Sequence, residues 1–249
     1  YQLLRLEAGD VDGDNQIDLV ASTNAINANC PVLLFRNNGN SFSGPGQCIV
    51  TNTATAAIAL GDYDNDGRMD LALGNFPNRV VLLNNFVSVP TQTNQVDNTT
   101  TFLPYDLRWG DYDGDGDLDL AAAFPLDQLI RIYKNNSQAF SLTHEFRTAF
   151  FYTPLALDWA DFDLDGRLDL VVAGNPPVVY LNVGEANGWF SSTHRFELPA
   201  ETVKGQIWDL AAADQDNDGD LDLALGNRDS SSLLFTAFAP LLGDTLVPV

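Results

Sequence analysis

Histidine, cysteine and methionine are almost missing from this 249-residue chain, which has two, two and one of them. His144 and His194 stand 50 residues apart in matching settings, Thr143-His144-Glu145-Phe146 and Thr193-His194-Arg195-Phe196. They therefore read as features of a repeat and not as a catalytic pair. Basic residues are also scarce, 12 Lys and Arg against 34 Asp and Glu, for a net charge of −22. A nucleic-acid partner needs a basic face, and an anionic membrane surface would repel this chain. There is no apolar run of 18 residues to cross a bilayer as a helix. Phosphate-binding glycine loops, zinc signatures and serine elbows are absent. Nothing at the N-terminus resembles a signal peptide, and a start at Tyr1 reads as a processed chain or a piece of a longer one.

What is present is a repeat. Five times the chain spells Asp, any, Asp, any, Asp, usually Gly, any, apolar, Asp, starting at Asp10, Asp62, Asp111, Asp161 and Asp214, at steps of 52, 49, 50 and 53 residues. A unit of about 50 residues cannot bury its apolar face alone and must lean on its neighbours. The whole chain is therefore expected to be one array, with repeats at 1–50, 51–99, 100–149, 150–200 and 201–249. Four of the acidic residues lie in each loop, and Asp117 and Asp220 add two more, so the loops hold 22 of the 34. Five divalent ions would bring the net charge to −12, which makes the acidity ligand charge and not a solvated face.

Each unit has the same parts. An alternating strand enters the loop, as in Ala56-Ala57-Ile58-Ala59-Leu60, and an apolar strand leaves it, as in Leu168-Asp169-Leu170-Val171-Val172. The last Asp of the loop lies between apolar residues, so strand alternation points it at the loop and its neighbours at the core. A turn rich in Gly, Asn and Pro leads to a third strand, and an Asn turn (Asn37, Asn84, Asn135, Asn182) leads to a fourth; the fifth copy has Thr236 there and trails into Pro240 to Val249. Four short strands per unit without helical periodicity describe an all-β fold, a β-propeller of five four-stranded blades. Small residues before the loops (Gly9, Gly61, Gly110, Ala160, Ala213) suit crowded strands at a propeller axis, and Trp109 and Trp159 read as packing between blades.

The loops are candidate metal sites. Asp at positions 1, 3 and 5 converges if the loop curls, and Gly67, Gly116, Gly166, Gly219 and Asn15 tolerate the positive φ that curling needs. Position 7 varies in type, as a backbone-carbonyl ligand would, and position 9 is always Asp. The candidate ligands are Asp10, Asp12, Asp14, Gln16 and Asp18; Asp62, Asp64, Asp66, Arg68 and Asp70; Asp111, Asp113, Asp115, Asp117 and Asp119; Asp161, Asp163, Asp165, Arg167 and Asp169; and Asp214, Asp216, Asp218, Asp220 and Asp222. All-oxygen, carboxylate-rich coordination suits Ca²⁺, about five ions in all. An EF-hand is excluded, because position 12 is Ala21, Leu73, Ala122, Val172 or Leu225 where Glu is required, and strands flank the loop. At ion levels about tenfold above Kd each site adds roughly 1.4 kcal/mol, so five approach ~7 kcal/mol, on the scale of a domain's whole stability.

Segments such as Gly110-Asp111-Tyr112-Asp113-Gly114-Asp115-Gly116-Asp117-Leu118-Asp119-Leu120 resemble FG-GAP/VCBS repeats. Those repeats build the calcium-binding propellers of integrin α-subunits, many bacterial surface proteins and fungal lectins. The resemblance implies that each loop joins the first and second strands of its blade on the lower face, with positions 1, 3, 5, 7 and 9 as calcium ligands. Such propellers usually have seven blades where five are visible here, and the Phe-Gly and Gly-Ala-Pro elements are absent, so the match is nearer the VCBS type.

Cys30 and Cys48 lie nine residues either side of Gly39. An undistorted hairpin brings them opposite each other, and a cross-strand disulfide is favoured over two buried thiols. Asn98 and Asn135 head glycosylation sequons. For function the leading reading is an extracellular or cell-surface, non-catalytic recognition or adhesion module for a glycan or protein. Its ligand face would be the turns opposite the loops, with Phe76, Phe124, Phe151 and Tyr152 as candidate contacts. The alternative is a subunit of a surface assembly or filament in which the apolar tail 240–249 meets a second copy. A polysaccharide-active enzyme is the weakest reading, because the Asp clusters are committed to metal.

Overall fold

The computed structural model describes residues 3–23, 30–50, 54–76, 79–86, 93–147, 155–174, 176–197, 207–215, 217–227 and 233–235. These form five antiparallel sheets, each a sequential meander. The first contains β1 (Leu3–Gly9), β2 (Asp18–Thr23), β3 (Val32–Phe35) and β4 (Gln47–Val50). The second contains β5 (Thr55–Gly61), β6 (Asp70–Asn75), β7 (Arg79–Leu83) and β8 (Thr93–Asp97). The third contains β9 (Asp106–Gly110), β10 (Asp119–Phe124), β11 (Leu129–Asn136) and β12 (Ala139–Arg147). The fourth contains β13 (Leu157–Ala160), β14 (Asp169–Val172), β15 (Val178–Asn182) and β16 (Phe190–Glu197). Among the described residues the fifth has β17 (Ile207–Ala213), β18 (Asp222–Asn227) and β19 (Leu233–Phe235). Thr236 and the tail 240–249 lie outside the described residues.

The sheets are the blades of a β-propeller. Their first strands contact one another in series, β1 to β5, β5 to β9, β9 to β13 and β13 to β17. Burial grades outward from there. The second strands are packed on both faces by neighbouring blades, so β10 is buried along its whole length and reads Asp-Leu-Ala-Ala-Ala-Phe without polar alternation. The fourth strand β12 alternates between exposed and half-buried. The core is thus a set of seams between blades. In one, Val20, Val32 and Leu34 meet Ile58, Leu71 and Leu73; each such fully buried side chain contributes roughly 1.5–3 kcal/mol.

The glycines before the second and third loops have a sharper purpose than crowding at the axis. Trp109 of β9 stacks on Tyr63 of the preceding blade (6.0 Å between rings, 9° between planes) and donates from Nε1 to the Ala59 carbonyl at 3.2 Å. A Cβ on Gly61 would lie 2.7 Å from the Trp109 ring. One blade on, Trp159 stacks on Tyr112 and donates to Arg108 O at 3.2 Å, and a Cβ on Gly110 would lie 2.6 Å from it. Where the partner is smaller the room relaxes: Gly9 meets Leu60 at 3.4 Å.

Charges bridge the axis. Arg5 of β1 pairs with Asp106 of β9 at 3.6 Å and donates to Leu155 O at 3.1 Å. Arg108 pairs with Asp106 at 3.1 Å and with Glu7 at 3.5 Å. The first blade therefore faces the third and fourth across a narrow centre.

Cys30 and Cys48 are disulfide-bonded, with Cα atoms 5.5 Å apart. The simple hairpin register is not the reason. Leu33, not Cys30, is the partner of Cys48, and the register shifts between Val32 and Leu33. The irregular turn brings the stretch before β3 back over β4.

Candidate metal centre

Each Asp loop joins the first strand of a blade to the second. The Asp at position 1 builds the curl: Asp111 Oδ1 accepts from the amides of Gly114 (2.8 Å) and Asp115 (3.1 Å), and Oδ2 accepts from Gly116 (2.9 Å). Asp10 does the same for Gly13, Asp14 and Asn15. The position 5 Asp accepts from the position 7 amide, as in Asp66 with Arg68 and Asp165 with Arg167, both at 3.0 Å. Two positions per loop take positive φ. Position 6 is as expected, from Asn15 at 63° to Gly219 at 96°. Position 4 is the second: Gly13, Asn65, Gly114, Leu164 and Asn217 lie between 56° and 78°. Leu164 breaks the residue preference there, which is why the sequence did not reveal this position.

The position 9 Asp anchors the loop to the sheet. Asp119 Oδ2 accepts from the Tyr112 amide at 3.2 Å and Oδ1 from the Asn135 amide at 2.8 Å. Asp18, Asp70 and Asp169 repeat the second bond with the amides of Asn37 (2.7 Å), Asn85 (2.8 Å) and Asn182 (2.8 Å). The structural equivalent in the second blade is thus Asn85, while Asn84 donates to Asp64 of the loop. The Asn side chains tie adjacent blades. Asn135 Nδ2 donates to Tyr63 O of the preceding loop (2.8 Å) and to Leu118 O (3.2 Å), and Asn182 does so to Tyr112 O (2.7 Å) and Leu168 O (3.2 Å). Asn135 is fully buried, so this sequon is a structural amide and not a glycan acceptor.

The curls bring carboxylates together. In four loops, Asp10, Asp12 and Asp18, then Asp62, Asp64 and Asp66, then Asp111, Asp113 and Asp115, then Asp161, Asp163 and Asp169 offer oxygens within 4.8 Å of one another. Asp14, Asp70, Asp119 and Asp165 flank these clusters through the bonds above. In the fifth loop Asp216 lies outside the described residues, while Asp214, Asp218 and Asp222 keep the expected bonds to Gly219, Asp220 and Gln215. Three position 7 side chains make other contacts, although Arg167 also pairs with Asp165 of its own loop. Arg68 reaches Asn85, Arg167 reaches Asn182 O, and Asp117 accepts from Asn65 of the neighbouring blade at 2.9 Å.

Two observations test whether a cation fits. Asp64, Asp113 and Asp163, all at position 3, each keep a buried Oδ1 with no hydrogen-bond partner. A buried carboxylate oxygen left unpaired is costly unless an ion takes it. Burial, together with neighbouring loop carboxylates, also pushes Asp70 and Asp119 up to about 7 and Asp169 to about 6. These groups lack counter-charge, and a hard divalent cation supplies it. The residues therefore fit calcium.

The proposed ligand face changes. Phe124 is fully buried, because the last position of β10 faces the seam with the preceding blade, where it packs with Leu107 and Leu129 and lies 5.9 Å under the Arg131 guanidinium. Phe151 and Tyr152 lie outside the described residues. Phe76 is exposed on the face opposite the loops, and Phe102, Tyr105 and Leu126 are exposed at the same end of the strands. The Tyr105 amide bonds to Ala123 O at 2.9 Å, and the Phe102 amide bonds to Asp127 at 2.9 Å, so this segment lies against the β10–β11 turn. The segment before β9 carried no repeat signal that would have marked it.

A comparison with curated proteins returns no match. Among solved structures, BBS1N in complex with ARL6DN, soaked with lead, superposes with a TM-score of 0.58 at 13% identity over 94% of this chain and 66% of that one. The same complex soaked with mercury gives 0.57 at 12% identity over 94% and 63%. The chain thus spans just under two thirds of these neighbours, and at this identity the likeness shows the fold alone. The FG-GAP-like repeat signature matches residues 8–73, 111–172 and 161–225, which take in all five loops and most of the chain. With the motif, the blades and this match in agreement, the chain belongs to the FG-GAP-like repeat family.

Proposed function

We propose that this chain is a calcium-stabilised extracellular recognition module that acts by binding and not by catalysis. The buried, unpaired Oδ1 atoms of Asp64, Asp113 and Asp163 carry the calcium part. Each loop would hold one ion through positions 1, 3 and 5, the position 7 backbone carbonyl and position 9. About five ions make a single propeller of residues 1–249 rigid. The disulfide and the need for abundant calcium both favour an extracellular setting. Recognition falls to the opposite face, where Phe76, Phe102, Tyr105 and Leu126 are exposed. A protein partner is favoured over a glycan, in keeping with the solved neighbour, which is in complex with a protein. Calorimetric titration of the metal-stripped chain with calcium chloride tests the first part; four to five binding events support it and a flat titration overturns it. For the second part, Phe76→Ala with Leu126→Ala should abolish partner capture without changing the melting temperature.

One observation favours assembly with copies of itself as a second reading. Leu6 of β1 is 54% exposed, whereas its equivalents Ile58, Leu107, Leu157 and Leu210 are buried against the preceding blade. A head-to-tail contact would cover that face. Light scattering of the purified chain and of Leu6→Glu decides it: a monomer at high concentration removes this reading.

A further inference from the structure

The four clusters are not equivalent, and the difference lies at one residue of the third strand, just before the Asn that anchors position 9. That residue is Arg36 in the first blade, Asn84 in the second, Lys134 in the third and Leu181 in the fourth. Lys134 ion-pairs with Asp113 and, at 3.0 Å, with Asp115. It thereby engages two of the three carboxylates that make up the third cluster, at positions 3 and 5. No other described basic side chain does this. Arg36 ion-pairs with Asp12 at 3.4 Å and is partly exposed, Asn84 brings no charge to Asp64, and Leu181 brings neither charge nor donor. Arg167 pairs with a single carboxylate of its loop, Asp165 at position 5.

Asp113 is the most revealing member. Its side chain is only 2% exposed, Lys134 takes its Oδ2, and its Oδ1 has no hydrogen-bond partner. The ammonium therefore meets half of what this carboxylate lacks. A divalent ion entering the cluster must sit beside the same oxygens, within a few ångströms of a positive charge, where repulsion is strong and poorly screened. The ammonium also has somewhere to go. The third loop opens on a groove of about 610 Å³ between the third and fourth blades, lined by Tyr112, Asp113, Asp115, Lys134, His144 and Glu185 among others. A Lys134 side chain displaced into that groove finds Glu185 on its wall.

We propose that Lys134 is a built-in competitor for the cation of the third loop, which makes this loop the weakest calcium site of the four clusters. The inference rests on the calcium reading above and adds that loading is stepwise. The third loop exchanges an internal ammonium for calcium only after the others are filled, so the seam between the third and fourth blades responds to calcium over a separate, higher concentration range.

The test is calorimetric titration with calcium chloride of the metal-stripped wild type, Lys134→Met and Lys134→Arg, with terbium luminescence sensitised by Tyr112 of the same loop as a second readout. Lys134 is partly exposed near the end of β11, and Lys134→Gln replaces the Met variant if that one does not fold. The wild type should show one site at least tenfold weaker than the rest. Lys134→Met should move that site into the tight class, a tenfold gain being about 1.4 kcal/mol, while Lys134→Arg keeps it weak. Unchanged affinity in Lys134→Met, or equal tightening in Lys134→Arg, overturns the inference while leaving the calcium reading intact. Absence of calcium heat in every version overturns both.

Discussion

Replacing Arg131 by Met should cost this fold several kcal/mol, because the guanidinium is the counter-charge of a carboxylate that water cannot reach. Arg131 Nη1 donates to Asp97 at 2.6 Å and to Thr99 at 2.7 Å, and Nε and Nη2 reach Glu145 at 3.0 and 2.7 Å. Asp97, at the end of β8, also accepts from the Tyr133 hydroxyl, so the network spans the seam between the second and third blades. The two carboxylates are not equal. The Glu145 side chain is 31% exposed and rehydrates when the Arg is removed, whereas that of Asp97 is 4% exposed and does not. Met keeps the aliphatic stem that covers Phe124. The cost is then that of an uncompensated buried charge, about 3–5 kcal/mol, or on the order of 10 °C in melting temperature for a chain of this size. The pH dependence has a definite sign. Burial pulls the Asp97 carboxyl upward, but the hydrogen bonds from Tyr133, Thr99 and Arg131 outweigh it and hold it below the ordinary value of 3.8. Its contribution is therefore complete above the ordinary carboxylate range and lost as pH falls through the depressed value. Without Arg131 that carboxyl rises, so the deficit of the variant should be largest at neutral pH and shrink on acidification. Thermal and urea unfolding by circular dichroism at several pH values, with Asp97→Asn as the second arm of a double-mutant cycle, measures this. A cost below about 1 kcal/mol at pH 7, or the same cost in the Asp97→Asn background, would show that Arg131 is not the counter-charge of Asp97.

Other outcomes follow from the same structure. Gly110→Ala should destabilise by about 1–3 kcal/mol, because its methyl lies 2.6 Å from the Trp159 ring; adding Trp159→Leu, which copies the Gly9–Leu60 pair, should recover part of the loss, and no recovery would count against the seat. Leu164 holds φ at 58° with its side chain 51% exposed, so Leu164→Asn, the residue of the second and fifth loops, should raise stability by about 0.5–1 kcal/mol. A lower melting temperature would contradict this. Asn135→Ala leaves the carbonyls of Tyr63 and Leu118 unpaired and should cost roughly 1–3 kcal/mol. Mass spectrometry after expression in a glycosylating host should find Asn135 unmodified.

Much of this architecture could be read from residue spacing, because propeller blades are local meanders. Loop, strand and turn recur within about 50 residues, and the position 9 Asp between apolar neighbours marks the start of every second strand. What failed were features that depend on partners in another blade. Phe124 looks like a turn aromatic until the neighbouring blade covers it. Asn84 and Asn85 are adjacent and chemically identical, and only the amide bond to Asp70 shows which of them anchors the loop. The position 2 residues Val11, Tyr63, Tyr112 and Phe162 are buried under the next blade, and their shared apolar or aromatic character is a signal that the sequence does contain. Symmetry about Gly39 points to the disulfide, yet the bond forms through an irregular register that no spacing rule supplies. Arg131 and Asp97 are 34 residues apart in different repeats, so the buried pair leaves no periodic trace.

On the reading proposed above, the acidic loops are a scaffold completed by cations. The most direct measurement is calorimetric melting of one preparation, first stripped with a chelator and then reloaded with calcium chloride at millimolar concentration. Reloading should give a large, reversible rise in melting temperature, corresponding to several kcal/mol spread over the loops. A melting temperature that is the same with chelator and with calcium would contradict it.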